Sequence, residues 1–166
     1  MARKPGSMYH NIKQQPYTRR EYMGGVPLSR ITQFVLGNKR DKFPIQLMLY
    51  SDEACQIRHT SLESARIAAN RFLEKKIGVN DYRLTISVYP HHVLRENKQA
   101  TGAGADRVSQ GMRASFGKTV GTAARVKRGQ TIMKVETFER NIEYSRNALI
   151  KASSKLPPPC KIKYAS

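Results

Sequence analysis

Gly117-Lys118-Thr119 is the tripeptide that closes a phosphate-binding loop, in which backbone N–H groups curl round the phosphates and the lysine reaches them. That loop needs four residues between its first glycine and the triplet. Here five residues separate Gly111 from Gly117, Phe116 falls inside the would-be loop, and no strongly apolar strand precedes it. A P-loop-like nucleotide hydrolase using Lys118 and Thr119 is therefore only an alternative reading. Gly102-Ala103-Gly104 begins like a dinucleotide fingerprint, but its third glycine position holds Arg107 and the preceding Glu96–Thr101 is polar rather than a buried strand. Cys55 and His59 could share a metal, yet no second ligand pair completes a zinc site. The histidines are read as surface or RNA-facing, and both Cys55 and Cys160 as small buried hydrophobes. Asp106 is a lone acid in a basic loop, better suited to holding a neighbouring arginine or a loop N–H than to acid–base work. The expectation is no catalytic residue, no cofactor and no metal.

What remains is a basic, glycine-punctuated stretch. Arg95, Lys98, Arg107, Arg113, Lys118, Arg125, Lys127 and Arg128 stand among small residues, with only Glu96 and Asp106 opposing them as far as Lys134. Gly102 and Gly104 let the backbone turn tightly and approach another molecule. Main chain and guanidinium groups can then fit a folded RNA surface together. The competing reading is a merely solvated charged loop.

The whole chain carries the same bias. It has 166 residues, 30 Lys and Arg against 12 Asp and Glu, and a formal net charge of +18. Such an excess repels itself and attracts polyanions, so a permanent polyanionic partner is expected. Nucleic acid comes first. An anionic membrane surface is weaker, because no apolar run approaches the ~20 residues needed to span a bilayer. A basic architectural DNA-binding protein would satisfy the charge alone. Met1–Gly6 starts basic with no apolar stretch before Pro16, so no secretory signal is expected, and two distant cysteines fit a reducing cytoplasm.

Residues 1–42 lack helical or alternating periodicity and carry Pro5, Pro16, Pro27, the Gly24-Gly25 pair and nine Lys or Arg. They read as an extended arm that orders on its partner. Arg3, Lys4, Lys13, Arg19 and Arg20 would meet phosphates, while Tyr17 and Tyr22 would stack on bases. Alternatively, the tyrosines pack on the domain and the charges are solvated. From Phe43 the pattern is globular to residue 166. Phe43–Tyr50 reads as a strand, with Cys55–His59 as a partner after the Ser51-Asp52-Glu53 turn. Thr60 and Glu63 suggest a capping box opening a helix with a Leu62, Ala65, Ala69, Phe72, Leu73 stripe, stopped by Gly78. Tyr82–Tyr89 alternates as a half-buried strand, and residues 95–119 form a long loop. Two strands, 121–127 and 130–137, join through a turn at Arg128-Gly129. A second helix, 141–155, shows Tyr144, Ala148, Leu149 and Ala152 on one side and ends at Pro157-Pro158-Pro159. Cys160–Tyr164 would be an edge strand. The class is α+β, a two-layer sandwich with a mixed or antiparallel sheet and two main helices.

Arg95–Lys98 through Gly102–Arg107, then Gly111-Met112-Arg113, Phe116-Gly117-Lys118 and Gly121–Val126, closely resemble the L-ten-e family of large-subunit ribosomal proteins, counterpart of bacterial L-sixteen. Tyr17–Tyr22, Leu62–Arg66 and Lys155-Leu156-Pro157 extend the likeness over nearly the whole chain, in an archaeal style. The resemblance implies an α/β-hammerhead-type fold on large-subunit rRNA near the central protuberance, beside neighbouring ribosomal proteins. It also implies that the 98–111 loop points toward A-site tRNA and the peptidyl transferase region, with the protein supporting translation in the cytoplasmic ribosome.

Overall fold

A computed structural model describes residues 6–10, 12–97 and 116–165. Among the described residues eight strands and two helices follow in order: β1 (Val35–Gly37), β2 (Ile45–Ser51), β3 (Cys55–Arg58), α1 (His59–Lys76), β4 (Tyr82–Ile86), β5 (His92–Glu96), β6 (Lys118–Val126), β7 (Thr131–Thr137), α2 (Ile142–Ser153) and β8 (Cys160–Ala165). Short 3-10 turns lie at Gly6–Tyr9, Arg20–Tyr22, Val79–Asp81 and Glu139–Asn141. The class is α+β, as expected. The strands form two antiparallel sheets, one of order β1-β4-β7-β2-β8 and one of order β3-β6-β5.

Period-two alternation places Leu47 and Leu49 of β2, Leu84 and Ile86 of β4, and Met133 and Val135 of β7 in one core. The stripe Leu62, Ala65, Ala69 and Leu73 of α1 joins them from above, with Ala148, Leu149 and Ala152 of α2. Full burial of a leucine contributes about 1.5–3 kcal/mol, so this cluster is the main source of stability. Ile57, Ala124 and Val126 extend the same core into the three-stranded sheet. Gly78 ends α1 as expected: it takes φ +91° and its N–H donates to the Leu73 carbonyl at 3.3 Å.

Several local expectations give way. β3 does not pair with β2; it crosses to β6 in the other sheet. Nor are β6 and β7 hairpin partners. Their connection is tied to the end of β2, with Gly129 N–H donating to Ser51 O and Ser51 N–H to Gln130 O, and it carries the chain from one sheet to the other. The α1 N-terminus uses no side-chain cap: Glu63 forms a two-pronged pair with Arg66 at 2.6 and 2.9 Å instead. Tyr144 of α2 faces solvent, and Ser145 takes the buried position. The loop expected from residue 95 starts later, because β5 runs to Glu96 and β6 begins at Lys118.

The core also begins before Phe43. Ile31 is 3% exposed, Phe34 and Leu36 pack on the core, and β1 pairs with β4 at the sheet edge. Three residues are too few for a periodicity signal. Gly37 lets β1 end tightly: at φ +82° its backbone lies against Tyr82, where any Cβ would collide with the Tyr82 carbonyl.

Candidate nucleic-acid interface

The arm is docked on the three-stranded sheet. Beside β5, Val93 N–H donates to Tyr17 O at 3.0 Å, and Tyr17 N–H donates to His92 Nδ1 at 2.8 Å. Farther along, Thr119 Oγ1 donates to Gly25 O at 2.6 Å and Arg30 N–H donates to His59 Nδ1 at 2.9 Å. Arg125 of β6 donates to the carbonyls of Ile12, Gln14 and Gln15. The structure thus gives the arm partners within its own chain, and Tyr17 packs on the domain as the alternative reading of the arm has it.

Both histidines must accept through Nδ1, so each is neutral at that atom when the arm is docked. Burial pushes His92 down to about 4, with Arg125, His91 and Arg95 adding repulsion for a proton. His59 is lowered for the same reasons, burial first and then Arg58 and Arg30. Neither is the surface histidine that composition suggested: His59 is buried and His92 partly so. Sequence reasoning had no signal for these latches, since the partners lie 75 and 29 residues apart.

Outside this seam lies a cationic, aromatic platform. The Arg95 guanidinium carbon stands 3.9 Å from the Tyr17 ring centre and 5.7 Å from that of Phe116. Phe116 is 81% exposed, leaving ring surface open beside the guanidinium. Phe116 was absent from the expected RNA-contacting set; its signal was an aromatic residue in a glycine-rich basic loop. Lys118 is exposed and starts β6 directly opposite Glu96, the pair that closes the 97–117 connection. Gly117, at φ +89°, brings the chain so close that a Cβ there would lie 2.6 Å from the Glu96 carbonyl carbon. Lys13, Arg19 and Arg20 are exposed on the arm, as is Tyr22 at 71%.

The expected contact residues therefore divide. Tyr17, Arg19, Arg20, Tyr22, Arg95 and Lys118 belong to the docked arm and the sheet beneath it. Arg125 is half-buried and turned to the arm's carbonyls. Lys127 and Arg128 sit at the exposed β6–β7 turn, where Arg128 lies 3.9 Å from Asp52. Arg3, Lys4, Lys98, Gly102, Gly104, Arg107 and Arg113 lie outside the described residues.

The arrangement does not suit the nucleotide-hydrolase alternative. Lys118 and Thr119 are strand residues paired with Glu96 and Arg95, the Thr119 hydroxyl is bonded to Gly25, and no helix follows to aim its N-terminus at phosphates. Cys55 is buried in the core, its thiol pushed up to about 11 mainly by burial. Among the described residues no three His, Cys, Asp or Glu side chains gather as a metal site, and no helix is long and apolar enough to cross a membrane.

Residues 12–163 match the family model described as ribosomal protein L16p/L10e. The chain belongs to this family. Similar proteins include the large ribosomal subunit protein uL16 of Methanoculleus marisnigri, 55% identical over 98% of this chain and 95% of that protein. Those of Picrophilus torridus and Archaeoglobus fulgidus are 54% and 49% identical, each over 98% of this chain and 92% of the relative. In this L16p/L10e protein, β5 ends and β6 begins beside the Tyr17–Arg95–Phe116 platform.

Proposed function

We propose that this chain is a structural constituent of the large ribosomal subunit that binds large-subunit rRNA through its arm and three-stranded sheet, with no catalysis of its own. The observation that supports this most is the platform itself: Arg95 beside Tyr17 and Phe116, with Lys118 exposed at the start of β6 and Arg19 and Arg20 exposed on the arm. Phosphates meet the cations and an unstacked base meets the open ring, the two contacts that folded RNA offers together. A net charge of +18 offsets phosphate repulsion where RNA segments converge. Neighbouring ribosomal proteins complete its surroundings in the cytoplasmic ribosome.

The finer reading places the protein near the central protuberance, with the 98–111 loop directed at A-site tRNA and the peptidyl transferase region. Family membership supports it, together with the closed Glu96–Lys118 base from which that loop leaves. The protein then shapes the surface against which tRNA settles, while peptide transfer belongs to RNA.

The test is subunit reconstitution. The chain is expected to co-sediment with large subunits at moderate salt, and its absence from them would refute the structural role. Arg107→Ala subunits are expected to assemble normally but to accommodate tRNA or form peptide bonds more slowly in single turnover. Wild-type rates would remove the tRNA-facing role, and failure to incorporate would make the loop an assembly anchor instead.

A further inference from the structure

Among the described residues the five-stranded sheet carries its helices on one face only. Leu47, Leu49 and Ser51 of β2 are buried on that side, while Gln46, Met48 and Tyr50 point to the other. Cross-strand contacts identify what shares the open face. Gln46 donates to Glu136 of β7 at 3.3 Å, and Arg83 of β4 is ion-paired to the same carboxylate. Lys163 of β8 holds its ammonium 4.7 Å from the Tyr50 ring centre.

The register orders these groups. Val35, Thr85, Lys134, Met48 and Lys163 form one row across all five strands, and Tyr50 and Lys161 pair in the next. With strands ~4.8 Å apart, lysines flank the Met48–Tyr50 stripe at roughly 10 Å from each other. The carboxylates at this face are already engaged. Glu136 is held by Arg83, and Asp52 at the end of β2 pairs with Lys161 at 2.7 Å and Arg128 at 3.9 Å. The Lys161 hydrogen bond is the largest influence holding the Asp52 carboxyl below its usual range. Arg83, Lys134, Lys161, Lys163 and Arg128 thus face two carboxylates.

We propose that this open sheet face is a second RNA-contacting surface, separate from the arm and three-stranded sheet, taking a single-stranded RNA segment along β2. Lys134 on one side and Lys161 and Lys163 on the other receive its phosphates, and the Met48–Tyr50 stripe receives a base. The inference rests on the rRNA-binding reading above. Charge selects the occupant: the surface offers a half-buried aromatic and a thioether between ammonium groups, the combination by which open sheets hold single strands. A protein partner here would have to bring acidic groups to the same lysines.

The experiment uses the full chain and transcribed archaeal large-subunit rRNA in domain-sized fragments, with affinity measured at several KCl concentrations. Changing Lys134→Gln, Lys161→Gln and Lys163→Gln together is expected to make the slope of log K against log salt shallower by about 2–3, because each lost phosphate contact removes roughly 0.7–0.9. The double change Lys134→Gln with Lys163→Gln keeps the Asp52–Lys161 pair and guards against misfolding; it is expected to shift the slope by about 1.5. Tyr50→Leu is expected to weaken binding at least fivefold with the slope unchanged, the signature of lost stacking. Wild-type slopes in both lysine variants would overturn the proposal. So would unchanged RNA affinity combined with failure to enter subunits, since the face would then meet a protein. Arg19→Gln with Arg20→Gln separates the two readings: if it lowers the slope while the lysine variants do not, only the second surface fails. If the wild type shows no preference for rRNA, both readings fall.

Discussion

Acidification should release the arm from β5 before it unfolds the domain. The Tyr17 N–H donates to His92 Nδ1, so this bond exists only while Nδ1 carries no proton. An unperturbed histidine titrates near 6.5; His92 is held down to about 4, by burial first and then by Arg125, His91 and Arg95. Between those values the unfolded chain binds a proton that the docked state does not, so stability rises with pH across that window. The contribution is complete above about 6.5 and lost as pH falls through about 4. The shift sets a ceiling of ~3 kcal/mol. Because the ring is partly solvated, screening reduces this to about 1–2 kcal/mol. His59, lowered in the same direction, adds to the slope through the Arg30 latch. The assay is an NMR titration of the RNA-free protein from pH 7.5 to 3.5, following the His92 ring and the Tyr17 and Val93 amides. All three are expected to move with one midpoint near 4, and Arg125→Ala should raise that midpoint by removing a nearby cation. A His92 midpoint at about 6.5, or a Tyr17 amide indifferent to it, would refute the latch.

Two further outcomes follow from the same geometry. Gly37→Ala is expected to cost about 2–4 kcal/mol in urea denaturation, since it adds a clash with the Tyr82 carbonyl to the cost of a left-handed backbone. Gly129→Ala, also at positive φ but with nothing within 4 Å, should cost about 1 kcal/mol; equal losses would show that strain alone decides both. Binding to an rRNA fragment is expected to fall with salt at a slope of about −5 or steeper, reflecting at least ~6 phosphate contacts, and a slope near −1 would count against an extended interface.

The elements that were legible in the sequence are those whose signal is local. The Leu84, Ile86, Val88 alternation and the Leu62–Leu73 stripe each state which side is buried, and the structure buries it. Pairing partners were not legible, because a strand's own pattern does not say which sheet it joins. Cys55–Arg58 looks equally suited to β2, its neighbour in sequence, and to β6, its partner in space; what separates them is the 51–54 connection, which turns the chain away toward the second sheet. The Val35–Gly37 strand was hidden by length, and its evidence is a glycine pressed on Tyr82 rather than any periodicity.

The candidate interface shows the same limit more sharply. Arg95 and Arg125 lie in neighbouring strands of one small sheet, in one basic stretch, and composition ranks them alike. Their surroundings separate them. Arg95 meets two rings, which offer no full hydrogen-bond partner to its donors and leave it exposed. Arg125 meets three arm carbonyls through its two terminal nitrogens, which makes it a clasp. Carbonyls at residues 12, 14 and 15 reach it because Tyr17 is fixed at β5 on both its N–H and its C=O. The assignment of one arginine thus depends on a hydrogen bond made by a histidine in the adjacent strand. A cation count predicts that a chain of this charge meets a polyanion; only the partners of each guanidinium decide which arginine is left to do it.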